Sequence, residues 1–129
     1  MKSKLHSIAA FLAAVVVLTG CDGEEKLYDV SGTVTFGGKP VPKGAIHFDP
    51  DASKGGTGQA GFANILDGKY DTADMGKGVR GGAYIVRINA FDGKEAGEAP
   101  WGQALFPEHT EPHELQAAKQ TLEIVIKKK

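Results

Sequence analysis

Apolar and polar residues alternate over much of the chain, and a two-residue period of this kind predicts β-strands. In residues 28–36 the apolar side chains, Tyr28, Val30, Val34 and Phe36, lie at even positions and the polar ones at odd positions. Comparable runs occupy residues 45–48, 83–91 and 120–127. Their lengths are those of ordinary strands in globular proteins.

Turn residues separate these runs. Gly37 and Gly38 can adopt the positive φ of a tight turn, and the prolines that follow them cannot donate to a strand ladder. The pair Asp67-Gly68 is a strong signal for a two-residue turn, which predicts a β-hairpin across residues 59–72.

Six or seven such strands, each with one buried face, predict an all-β fold. We expect a single antiparallel β-sandwich of about seven strands over residues 27–129. Within residues 83–91, Val86 and Ile88 should face the core and Arg87 should face solvent. Helical periodicity is nearly absent from this part of the chain.

One long segment separates two of the predicted strands. Residues 92–119 far exceed the usual connection of about two to six residues, and long loops are commonly functional or disordered. The stretch 100–107 contains Trp101 and Phe106 and is too apolar to stay solvated. We therefore expect it to pack on the end of the sandwich, with residues 108–114 projecting beyond it as an exposed polar loop.

The first 20 residues follow a different pattern, which predicts a secretory signal peptide. Lys2 and Lys4 make a positive start, and residues 8–18 are uninterruptedly apolar. That run is shorter than the roughly 20 residues that a membrane-spanning helix needs. The only cysteine of the chain, Cys21, follows the leader directly. A lone cysteine in an exported protein has no partner for a disulfide within its own chain.

The sequence Leu-Thr-Gly-Cys at residues 18–21 resembles the lipobox of bacterial lipoproteins. The resemblance implies that the thiol of Cys21 carries a diacylglyceryl group and that the leader is cleaved just before it. Two or more acyl chains anchor a protein stably to a membrane. Residues 21–26 would then be a short tether, and the domain would be exported and face the periplasm or the cell surface.

The net charge of the chain argues against one class of partner, nucleic acid. Loss of Lys2 and Lys4 with the leader reduces the 15 basic residues to 13 against 16 acidic ones, a net charge of −3 with neutral histidines. A chain without a basic field is poorly suited to nucleic acid, which we therefore exclude as a partner. The lysines at 127–129 are expected to be a solvated end. The 109 residues from Cys21 onward have the size of one domain.

The predicted strands carry two sets of short motifs. Residues 30–50 read V-x-G-x-V, then G-K-P-V, then G-x-I-x-F-x-P. Residues 67–88 contain D-G-x-Y and then G-x-Y-x-V-x-I. These motifs resemble those of transthyretin-like, carboxypeptidase regulatory-like domains. The resemblance covers nearly all of residues 28–127 and implies a transthyretin-like or immunoglobulin-like sandwich. Its motif positions are glycines and apolar residues of the fold, so it assigns no functional residue.

Residues 108–114 hold the one cluster with the chemistry of metal ligands. His109, Glu111 and His113 could supply nitrogen and oxygen ligands to zinc or another divalent ion. Their spacing imitates the paired histidines of H-E-x-x-H, but Pro112 breaks the helix that this motif needs. We therefore expect a solvated loop without metal or other cofactor, and retain the three residues as weak metal candidates.

Two aromatic residues of the long segment, Trp101 and Phe106, form a candidate surface for a sugar or a partner protein. The serines after the leader, Ser31 and Ser53, lie outside a G-x-S-x-G motif, so we expect no enzymatic activity. The sequence favours a non-catalytic, lipid-anchored envelope protein that serves as a structural or interaction module for an envelope protein or polysaccharide. The alternative is a protein that binds carbohydrate or a divalent ion through residues 92–119.

Overall fold

The computed structural model describes residues 26–129, so the predicted signal peptide, Cys21 and residues 22–25 of the tether lie outside the described residues. The first five strands are β1 (Val30–Phe36), β2 (Lys39–Pro40), β3 (Lys43–Pro50), β4 (Gly61–Leu66) and β5 (Lys69–Asp71). The last four are β6 (Gly82–Phe91), β7 (His109–Leu115), β8 (Gln120–Thr121) and β9 (Ile124–Ile126). A 3₁₀ helix, Ala52–Lys54, follows β3. Within residues 26–129, no helix has the length and hydropathy required to cross a membrane.

The strands form one hydrogen-bonded sheet that curls into a half-barrel, which confirms the predicted all-β fold. The main strand order is β2-β1-β5-β4-β3-β6-β7. β8 and β9 pair with β1 and run parallel to it, the exception to an otherwise antiparallel arrangement. The sheet thus has two rims, β7 on one side and β8 with β9 on the other.

Strand directions give the half-barrel two distinct ends. The described chain begins at Lys26, and β1 begins at Val30. The pairs β1–β5, β5–β4, β4–β3 and β3–β6 are all antiparallel, so β6 runs in the same direction as β1. β7 runs the opposite way. The start of β1 therefore marks one end, which we call proximal. Phe36, at the end of β1, and His109, at the start of β7, lie at the other end, which we call distal.

One hydrophobic core lies on the inner face of the sheet. Val86 and Ile88 of β6 are fully buried, whereas Arg87 between them is partly exposed, as the alternation predicted. Among the described residues, the members of the buried core lie between Val30 and Ile126. These residues form one continuous core, and we expect residues 26–129 to fold without the leader.

The predicted hairpin between β4 and β5 is confirmed. Its two turn residues, Asp67 and Gly68, have φ values of 50° and 76°. Positive φ at both central residues is the signature of the type I′ turn, whose twist matches that of the flanking strands. Gly68 also donates a backbone hydrogen bond to the carbonyl of Val41, which ties the turn to the segment after β2.

The tightest approach in the sheet is at Gly32 of β1. A Cβ atom there would lie 2.0 Å from the backbone oxygen of Leu122. That same oxygen accepts a hydrogen bond of 2.6 Å from the hydroxyl of Tyr70. Burial raises the pKa of Tyr70, which keeps the hydroxyl protonated and able to donate. The glycine of the V-x-G-x-V motif thus lets the closing segment lie against β1.

Two predictions were made for residues 92–119, that residues 100–107 pack on the domain and that residues 108–114 form an exposed loop, and only the first agrees with the structure. Leu105 and Phe106 pack against the core, as expected of an apolar stretch. The predicted polar loop is wrong, because residues 109–115 form β7 and pair with β6 over seven positions. The H-x-E-x-H spacing has the two-residue period of a strand. Its inward positions carry polar side chains, so it lacks the apolar alternation by which the other strands were predicted.

We predict that Ile88→Ala lowers the free energy of unfolding of residues 26–129 by about 2–5 kcal/mol, because a fully buried side chain leaves a cavity. Arg87→Ala removes a partly exposed ion pair with Asp49 and should cost at most about 1 kcal/mol. Urea denaturation measures both values. Equal losses in the two variants would show that the faces of β6 are assigned wrongly.

Candidate functional site

Three polar side chains, His109, Glu111 and His113, lie on the inner face of the rim strand β7. The register places them opposite buried residues of β6, with Glu111 facing Val86 at the centre. Residues directly opposite each other in an antiparallel pair share a face. These three side chains, which we call the β7 row, therefore lie on the same side of the sheet as the core.

The members of the β7 row approach one another without forming hydrogen bonds. Nε2 of His109 is 3.7 Å from Oε1 of Glu111, and Nε2 of His113 is 3.5 Å from its Oε2. Hydrogen bonds between such atoms span about 2.7–3.2 Å. Both Nε2 atoms and Oε1 are shielded from solvent and have no hydrogen-bond partner among residues 26–129. Each buried polar atom left in this state costs about 1–3 kcal/mol, so the row opposes folding as it stands.

A cleft of about 800 Å³ lies between the β7 rim and the β9 rim at the distal end. Phe36 and Phe106 supply its aromatic lining, with ring centroids 4.9 Å apart. Phe106 also meets the ring of His109 edge-on at 6.4 Å. His109 and Glu111 line one side of the cleft, and residues 125–129 line the other. An apolar surface and a polar wall therefore meet in one place.

The two walls of the cleft carry opposite charges. Glu108 and Glu111 lie on the β7 side, whereas the lysines at 127–129 lie on the β9 side. These lysines were predicted to be a solvated end; all three are exposed, as expected, and they also border the cleft. A ligand in the cleft would thus meet carboxylates on one wall and ammonium groups on the other.

Polar contacts on the outer face fix the point at which β7 begins. Glu108 accepts a hydrogen bond of 2.9 Å from Nδ2 of Asn89 and a longer one, 3.4 Å, from Arg87. Arg87 in turn donates to Asp49 at 2.6 Å. Its hydrogen bond to the Asp49 carboxylate raises the pKa of Arg87, so the cation persists. Because Glu108 immediately precedes His109, this network positions the first residue of the β7 row.

Trp101 and Phe106 were predicted as one candidate surface, but the structure places them apart. Phe106 lines the cleft beside His109. Trp101 packs edge-to-face on Phe91, with centroids 5.5 Å apart and planes at 70°. Phe91 alternates with the buried residues of β6, which places it on the outer face. The cleft therefore brings Phe106 together with His109 and Glu111, whereas Trp101 and His113 are outside its lining.

The pairing of Phe36 with Phe106 in the cleft could not be identified along the chain. Phe36 is on the inward-facing side of β1 that the alternation predicts, is partly buried against the core, and its ring also borders the cleft. It meets Phe106, from a distant part of the sequence, because the sheet curls and brings the ends of β1 and the long segment together. No local pattern signals such a pairing.

No protein-family model matches this chain, and neither the curated proteins nor the solved structures show a significant match to it. The resemblance to transthyretin-like domains therefore stays a prediction from motifs.

We predict that Phe106→Ala lowers the free energy of unfolding by about 1–3 kcal/mol, less than the loss of a fully buried phenylalanine. The ring is partly buried, packs against the core and touches Phe36. Val125→Ala on the opposite rim is the control, since Val125 is 68% exposed and should change stability by less than about 0.5 kcal/mol. Chemical denaturation compares the two, and a larger effect of Val125→Ala would refute the assigned packing of Phe106.

Proposed function

We propose that this chain is a non-catalytic, lipid-anchored protein of the bacterial cell envelope whose single domain serves as an interaction module. Its partner, an envelope protein or a polysaccharide, binds in the distal cleft. The observation that carries the proposal is the position of the cleft, which opens at the end of the half-barrel opposite the start of β1. A binding site so placed faces away from the membrane.

The length of the tether supports this orientation. The lipid would be attached at Cys21, five residues before Lys26, and five extended residues reach at most about 18 Å. The proximal end would then lie close to the bilayer. The cleft would project toward the periplasm or the medium, where a partner can reach it.

Among residues 26–129, two polar groups have perturbed pKa values, and each has a role in the fold. Such groups often mark catalytic sites. Here the hydroxyl of Tyr70 donates to the backbone of Leu122, and Arg87 binds Asp49 and the start of β7. Both side chains thus have a place in the fold that accounts for their perturbed pKa.

The alternative function is binding of carbohydrate or a divalent ion through residues 92–119. The two ligands would use different residues of this segment. A carbohydrate site would use Trp101, which is 39% exposed beside Phe91 on the outer face. An ion site would use the β7 row, of which His109 and Glu111 line the cleft. Among residues 26–129, no three His, Cys, Asp or Glu side chains are gathered around a common centre.

We predict that Cys21→Ser abolishes membrane attachment, because the hydroxyl cannot take the thioether-linked lipid. In fractionated cells the variant should appear as unprocessed precursor or in the soluble fraction. Asp22→Asn changes the next residue and leaves the thiol intact, so this control should stay in the membrane fraction. Recovery of Cys21→Ser as a cleaved, membrane-bound protein would defeat the lipoprotein proposal.

A further inference from the structure

One edge of the short strand β9 is free of any partner strand within residues 26–129, where β9 pairs with β1 alone. The carbonyl of Ile126 accepts a hydrogen bond of 3.0 Å from Gly37, so the backbone groups of Ile126 point toward β1. Because these directions alternate along a strand, the N–H and the carbonyl of Val125 point away from β1. An added strand could therefore pair with β9 at Val125.

The free edge of β9 lacks the features that discourage pairing at the other rim. β7 has Pro112 at its centre and glutamates on either side of it. β9 consists of three β-branched residues without proline or charge, and its middle residue, Val125, is 68% exposed. An apolar edge of this kind is a template for pairing that proteins usually cover. Of the two rims, β9 is therefore the one suited to accept a strand.

The distal cleft is the space beside this free edge. Val125 and Ile126 border it, and the rings of Phe36 and Phe106 form its apolar lining. Its volume of about 800 Å³ is that of a site for a small ligand, so it can hold a few side chains but not a folded domain. Side chains of an added strand that share the inner face with Ile126 would point toward the two rings, where apolar residues fit best.

The lysines at 127–129, which follow β9 directly, favour acidic groups in the added strand. The salt bridges within residues 26–129 join other residues and leave these lysines unpaired. Glu108, on the opposite wall, already accepts hydrogen bonds from Arg87 and Asn89. Continued alternation puts Lys127 on the outer face of the sheet, where an acidic side chain of a neighbouring strand would lie beside it. The cleft thus fits apolar residues on one face of the added strand and acidic residues on the other.

We propose that the partner is a protein, and that it adds an extended segment of alternating apolar and acidic residues as a strand to the free edge of β9. Backbone hydrogen bonds give such pairing its affinity, and side-chain contacts give it specificity. A second copy of this chain is a poor occupant, because two paired β9 edges would bring their lysines together. The added strand rests on the proposed function, since it fills the same cleft and names the class of partner.

The test titrates the full chain, kept in detergent micelles, into a fluorescent eight-residue peptide of alternating valine and glutamate with blocked ends. Fluorescence anisotropy should show saturable binding. Val125→Pro should weaken it at least tenfold, because proline has no N–H to donate to the added strand. The pairing of β9 with β1 does not use that N–H, so the variant should still unfold cooperatively. Val125→Ala keeps the N–H and should bind within about twofold of the parent.

Exchange of charged side chains tests the acidic preference. Replacing Lys127, Lys128 and Lys129 together by glutamine should weaken binding at least tenfold. The matched control replaces three exposed lysines outside the cleft lining, at positions 54, 69 and 94, and should bind within about twofold of the parent. A peptide of alternating valine and lysine should not bind.

A peptide methylated on every backbone nitrogen tests strand pairing on the unaltered protein, and it should lose binding. No binding of the valine–glutamate peptide, or binding that survives methylation or Val125→Pro, would overturn the added strand. Displacement of the peptide by alginate, an acidic polysaccharide, would overturn it in favour of a polysaccharide partner. A discrete adduct from a photoreactive phenylalanine at Val125 in the native envelope, found together with any of these results, would leave the proposed function standing without the added strand.

Discussion

The contact between Gly32 of β1 and the backbone of Leu122 is the constraint on which the half-barrel depends. A side chain at Gly32 would collide with the Leu122 carbonyl at 2.0 Å, and the closing segment could not lie parallel to β1. With the glycine in place, Leu122 also donates a backbone hydrogen bond of 2.8 Å to Ser31. β9 then forms the second rim, and the cleft exists because the two rims do not meet.

Within residues 26–129 the first rim, β7, has an unpaired strand edge, and its residues discourage another strand from pairing there. A free strand edge invites pairing with another chain, and proteins blunt such edges with proline and charge. Pro112 lies at the centre of β7 and cannot donate to an added strand, and Glu111 and Glu114 flank it with charge. Under the proposed function, a partner at this rim would therefore meet side chains of the β7 row and the cleft, and not a pairing strand backbone.

The sequence predicted the parts of the fold that leave a local pattern. Alternation placed Val86 and Ile88 inside, and the Asp67-Gly68 turn placed the hairpin, because each depends on neighbours in the chain. β7 escaped prediction because its inward positions are polar and its Pro112 suggested a loop. The candidate site escaped in part because its geometry combines residues distant in sequence, such as Phe36 and Phe106, that meet only when the sheet curls.

We propose that the protein meets its partner in the cleft between the two rims. Site-specific photo-crosslinking in the native envelope tests it most directly, with a photoreactive phenylalanine at Val125 on the cleft rim or at Met75 near the proximal end. Both positions are largely exposed, at 68% and 88%, so both should accept the probe. We predict a discrete adduct from position 125 and none from position 75. Adducts from position 75 alone, equally from both, or from neither would contradict the account.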